Sequence, residues 1–151
     1  MSFVGKKFPN IAVPAIDSTG QERSINILEE ATSKNKKVLL FWYPKDFTFV
    51  CPTELHAFQS AMGEFEKRNT MVIGASCDTN EVHFAWLNTP KNNGGIEGVT
   101  YPILADTARN LSTVLDILDI ESIDYTEDSD EHMLIKGSNV TFRATFLIDD
   151  T

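Results

Sequence analysis

With 151 residues, 42% of them hydrophobic and 23% charged, the chain has the size and make-up of one soluble domain, residues 1–151, with a sizeable core. A net charge of −9 disfavours nucleic-acid and anionic-membrane partners, and the longest apolar runs are far too short to span a bilayer. Two cysteines, Cys51 and Cys77, are too few for a disulfide framework or a structural zinc site; the first residues lack the charged-then-apolar order of a signal peptide, so a cytoplasmic protein is expected.

Ile11–Ile16 reads as a short strand whose Pro14 predicts an edge or irregular position. Asp17–Gly20 reads as a turn, and Ser24 as the N-cap of a short helix through Ala31. The apolar run Val38–Tyr43 reads as a buried strand. From Pro52 to Lys67 the pattern turns helical, with Leu55, Phe58, Met62 and Phe65 at spacings of three and four, and Pro52 suits a first turn. Thr70–Cys77 reads as a second buried strand. Asp78–Asn80 opens another helix with Val82, Ala85 and Trp86 on one face, ended by Thr89-Pro90 and followed by the Gly/Asn-rich loop Lys91–Gly98. Tyr101–Ala105 reads as a third strand, and Thr107 can cap a helix to about Leu115. Asp119–Asn139 is acidic and weakly patterned; its run Asp124–Glu131 lacks the glycine and spacing of a calcium loop and reads as a solvated loop. Val140–Ile148 reads as the last strand, and Asp149–Thr151 looks like the start of a turn, so a chain truncated at its C-terminus is expected. Strands alternating with helices predict an α/β fold with at least part of the sheet parallel.

Cys51 carries the chemistry. It stands between the Val38–Tyr43 strand and a helical pattern, at a helix N-terminus, where the partial positive charge favours the reactive thiolate. Thr48 can bring a hydroxyl close to the sulfur, Pro44 and Pro52 stiffen the flanks, and Phe47, Phe49 and Val50 can shield the pocket. Arg143, an arginine in an apolar strand, is costly there unless it meets an anion, so it is the expected cation beside the sulfur. Glu54, one turn on from Cys51, is the expected partner that orients Arg143. Acyl transfer would want a histidine base, and His56, His83 and His132 have no evident tie to Cys51. A lone shielded thiolate suits attack on a peroxide O–O bond, with Thr48 and Arg143 as donors to the departing oxygen. Cys77, at the end of an apolar strand, reads as structural, and His83 as a packed or hydrogen-bonded histidine.

Residues 41–54, Phe-Trp-Tyr-Pro-Lys-Asp-Phe-Thr-Phe-Val-Cys-Pro-Thr-Glu, closely resemble the active-site segment of peroxiredoxins, in particular the typical two-cysteine group that includes alkyl hydroperoxide reductase C subunits. Pro44, Thr48 and Cys51 match the PxxxTxxC motif of that family, and the resemblance continues through 72–78, 83–86, 88–90, 101–106 and 142–150. It implies a thioredoxin-like fold, a central mixed β-sheet flanked by helices, with Cys51 as peroxidatic cysteine and Arg143 in the active site. It implies hydrogen peroxide and small organic hydroperoxides as substrates, a thioredoxin-like or flavoprotein disulfide reductase as reductant, and homodimers that assemble into decamers. No metal, haem or flavin site is visible in the sequence. No cysteine follows Cys77, and the segment that would hold the family's resolving cysteine is expected to begin after Thr151. The other reading is a peroxide sensor or ring-forming holdase chaperone acting through partner binding.

Overall fold

The computed structural model describes residues 2–49, 51–120, 124–127, 133–136 and 139–149, with 124–127 and 133–136 described as backbone. The elements in chain order are β1 (Ala12–Ile16), β2 (Glu22–Asn26), α1 (Ile27–Lys34), β3 (Lys37–Trp42), α2 (Cys51–Ser60), α3 (Met62–Lys67), β4 (Thr70–Ser76), α4 (Asn80–Leu87), β5 (Ile103–Ala105), α5 (Asn110–Val114), β6 (Asp124–Glu127), β7 (Met133–Lys136) and β8 (Ala144–Ile148). Among the described residues, one six-stranded sheet runs β2-β1-β5-β4-β3-β8, and β6 and β7 form a separate antiparallel pair. β3, β4 and β5 are parallel neighbours; β8 lies antiparallel on the other side of β3.

Side chains that alternate along β3 explain why both faces of the sheet are covered. Val38, Leu40 and Trp42 enter one core cluster with Ile27 and Ala31 of α1 and Leu111 of α5. Phe41 and the following Tyr43 enter a second cluster with Cys51 and Leu55 of α2 and Trp86 and Leu87 of α4. A strand with two buried faces reads as an unbroken apolar run, as this one does.

Several expectations are corrected. Ser24 does not cap a helix: it pairs with Pro14 in the β1–β2 ladder. The cap is Asn26, whose side chain accepts from the backbone of Leu28 and Glu29. Pro14 is not on an edge strand, because β1 lies between β2 and β5; pairing with β5 begins only at Ala15, so Pro14 sits where the ladder is one-sided. The helix expected over 52–67 is two helices, broken at Ala61 (φ −91°, ψ 1°). In α4 the buried face is His83, Trp86 and Leu87, with Val82 and Ala85 exposed. Thr107 is exposed and caps nothing; buried Asp106 accepts from the backbone of Leu111 (3.2 Å) and Ser112 (2.8 Å) and tethers α5. The last strand starts at Ala144, after an isolated bridge between Leu118 and Thr141. Of the acidic run, Asp124–Glu127 is strand, while the rest of the loop reading, like that of a turn at the last two residues, lies outside the described residues.

Candidate active site

The parallel strands β3 and β4 end on the same side of the molecule, and the chain leaving β3 crosses that end before α2 begins. Ligand sites in open α/β sheets lie outside the carboxyl ends of parallel strands. Cys51 is the first residue of α2, and only 1% of its surface is exposed. Phe47 and Phe49 do not shield it, contrary to expectation: Phe49 is fully exposed and Phe47 half exposed, its ring resting against Trp86 at 5.9 Å. Val50 lies outside the described residues. The sulfur is buried instead by the apolar cluster beneath α2, which includes Tyr43, Leu55 and Trp86.

Arg143 reaches the sulfur because of sheet register. β8 runs antiparallel to β3, and Ala144 lies opposite Trp42, so the residue before β8 arrives where β3 ends. Across 92 residues of sequence, Arg143 Nη2 comes to 3.5 Å from Cys51 Sγ. Its Nε donates to both oxygens of Glu54, at 2.9 and 3.2 Å. The planar guanidinium thus holds a carboxylate on one edge and faces the sulfur with another. Burial is not what forces this pairing: the Arg143 side chain is 46% exposed, and Phe142 is exposed as well.

Thr48 is half buried, and its hydroxyl donates to the carbonyl of Lys45 (3.4 Å) rather than to the sulfur. Pro44 is half buried at the start of the loop. His56 donates from Nε2 to the Gly95 carbonyl (3.2 Å), joining α2 to the 91–98 loop. Cys77 is a free, half-buried thiol 3.9 Å from Ser112 Oγ; burial, opposed by that contact, pushes its pKa up, which suits a structural cysteine.

A second polar group was not legible as part of the site. Asp46, 2% exposed, accepts from the Tyr43 hydroxyl (2.7 Å) and lies 2.6 Å from Nδ1 of fully buried His83. The available signal was the spacing of His83, Trp86 and Leu87, an i, i+3, i+4 helix face, together with a carboxylate flanked by aromatic residues in the loop. Among the described residues no cluster of three or more His, Cys, Asp or Glu could hold a metal ion, and no helix is long and apolar enough to cross a membrane.

Comparison with known proteins agrees with this architecture. The model of the AhpC/TSA family matches residues 4–151. Peroxiredoxin-1 of Gekko japonicus is 37% identical over 149 residues, covering 99% of this chain and 65% of that protein. Alkyl hydroperoxide reductase C of Helicobacter pylori is 42% identical over 120 residues, covering 80% of this chain and 60% of that protein. The chain therefore spans under two thirds of the length of these curated relatives. The crystal structure of reduced Plasmodium vivax 2-Cys peroxiredoxin superposes with a TM-score of 0.79 at 32% identity, over 98% of this chain and 79% of that one. The mixed sheet with helices on both faces is the thioredoxin-like architecture of such structures, and with a family model that spans almost every residue, the chain belongs to the AhpC/TSA family.

Proposed function

We propose that this chain carries the peroxide-reducing step of a thiol peroxidase. The Cys51 thiolate attacks one oxygen of a hydroperoxide; the S–O bond forms as the O–O bond breaks, leaving a cysteine sulfenic acid and an alkoxide or hydroxide that takes up a proton. The observation that carries the reading is the 3.5 Å approach of Arg143 Nη2 to Cys51 Sγ while Glu54 holds Nε. A fixed cation there stabilises the thiolate and then the charge that develops on the leaving oxygen. Thr48 turns its rotatable hydroxyl from the Lys45 carbonyl to the peroxide oxygen, and Pro44 stiffens the start of the loop. Burial of the sulfur favours small oxidants, hydrogen peroxide and short organic hydroperoxides.

Regeneration falls to a thioredoxin-like or flavoprotein disulfide reductase, in the cytoplasm, where a free thiol persists. Self-association, as a homodimer and then a decamer, is part of the same proposal. Its support is the outer edge of β8, which pairs with no strand among the described residues and exposes Leu147. Cys51→Ser is expected to abolish peroxide consumption and sulfenic-acid trapping by dimedone; consumption retained in that variant would refute the reading. Turnover with a disulfide reductase marks a peroxidase, whereas one stoichiometric oxidation marks a sensor.

A further inference from the structure

We propose that Asp46, His83 and Tyr43 form a buried positioning cluster that fixes the loop carrying Thr48, separately from the Arg143–Glu54 pair that serves the sulfur. The inference deepens the peroxidase reading and rests on it.

Among the described residues, the middle of the loop between Tyr43 and Cys51 has few other anchors beyond the Phe47–Trp86 ring contact. Phe47 and Phe49 are exposed, Lys45 is exposed, and Thr48 has its bond to the Lys45 carbonyl. Phe47 also has φ 55°, a left-handed conformation that costs a non-glycine residue about 1 kcal/mol and persists only when its surroundings impose it. Asp46 is the deep anchor. Its backbone N–H donates to Asp78 Oδ2 (2.9 Å), which also accepts from Ser76 Oγ (2.9 Å) at the end of β4. One carboxylate oxygen accepts from Tyr43, next to β3; the other meets His83 on α4. His83 Nε2 lies 3.0 Å from the Leu104 carbonyl of β5. The loop is thereby referenced to three parallel strands and a helix, whereas the sulfur and the guanidinium are referenced to α2 and β8.

The protonation pattern follows from the partners. A carbonyl only accepts, so Nε2 of His83 carries a hydrogen. Nδ1 faces a carboxylate oxygen at 2.6 Å, so one proton lies between them: imidazolium with carboxylate, or imidazole with carboxylic acid. Both forms are neutral overall and satisfy both groups in a site closed to water. Burial pushes the Asp46 carboxyl up despite its contacts with His83 and Tyr43, which agrees with a proton held in the pair. An asparagine at 46 can reproduce this pattern without charge. Its amide donates to Nδ1 of neutral His83, and its carbonyl accepts from Tyr43.

The test compares two reactions of one thiol. Peroxide oxidation needs Thr48 in place; alkylation by iodoacetamide needs the thiolate and access to the buried sulfur, but not Thr48. In Asp46→Ala, peroxide oxidation of Cys51 is expected to slow about tenfold or more, the scale of a misplaced catalytic group, while alkylation slows by less than about twofold. Amide hydrogen exchange in the 45–49 segment should speed up in Asp46→Ala and return toward the parent rate in Asp46→Asn, a readout that needs no peroxidase activity. Asp46→Asn should also recover peroxide oxidation to within about threefold of the parent. Tyr43→Phe keeps the ring, removes one donor and gives the same comparison should Asp46→Ala not fold. Equal slowing of oxidation and alkylation, an Asp46→Asn as slow as Asp46→Ala, or unchanged exchange would overturn the inference. A parent protein that reacts with iodoacetamide but consumes no peroxide would overturn the peroxidase reading instead.

Discussion

Arg143 divides its guanidinium between two partners, and the division sets what each substitution should do. Nε is held by Glu54, and Nη2 faces the sulfur. Arg143→Ala removes the donor as well as the charge, and peroxide oxidation of Cys51 should slow about a hundredfold or more. Glu54→Gln leaves the cation in place but loosens its orientation, and the loss should be about tenfold. Stopped-flow fluorescence of the peroxide reaction measures both; a Glu54→Gln variant slower than Arg143→Ala would contradict this order. The place of Cys51 at the start of a helix was legible, because a cysteine between an apolar strand and a helical pattern is a local signal. The half-exposure of Arg143 was not, since an apolar run of sequence cannot say where the strand starts: Phe142 and Arg143 precede β8, and each is about half exposed.

Elements near the site are joined by close backbone contacts that leave no room for change. The loop after α4 folds back on it: Trp86 Nε1 donates to the Gly94 carbonyl (2.9 Å), and Ile96 N–H to the Trp86 carbonyl (3.1 Å). At Gly95 a Cβ would come to 1.8 Å of the Thr89 carbonyl oxygen, which is backbone and cannot turn aside. Gly95→Ala should therefore destabilise the protein by about 1–3 kcal/mol, read as a fall in melting temperature or urea midpoint; an unchanged midpoint would show that the loop shifts freely. Strand positions were largely legible, because apolar runs bounded by polar residues are contiguous in sequence. Helix boundaries were not. Ser24 and Thr107 have cap chemistry, but Ser24 is taken by the β1–β2 ladder, while the orphan amides of α5 go to Asp106, a carboxylate four residues before the helix. Competition of this kind depends on which partner arrives in space.

At the scale of the whole molecule, two buried tyrosines make stability sensitive to alkali. Tyr43 donates to Asp46 and Tyr101 to the Leu55 carbonyl (2.7 Å), and burial raises both phenols well above their ordinary value of 10.0. A raised folded-state value means that the stabilisation is fully present below pH 10 and is lost as pH rises above it, when the unfolded chain ionises and the folded one does not. Each tyrosine should cost about 1.4 kcal/mol per pH unit in that window. Urea midpoints from pH 9 to 11 should fall, and less steeply in Tyr101→Phe; an equal slope in that variant would remove Tyr101 from the account. The sequence by itself determined the α/β class, the buried strand β3, and Cys51 at the start of a helix. Each of these is written in the periodicity and side-chain types of a few consecutive residues. Tertiary structure alone decided how Arg143, expected beside the sulfur, reaches Cys51, through the register that sets Ala144 against Trp42, and that Asp46 Oδ2 lies 2.6 Å from His83 Nδ1 across 37 residues. Those contacts follow from strand order and from how helices pack over the sheet, which no local stretch of sequence specifies.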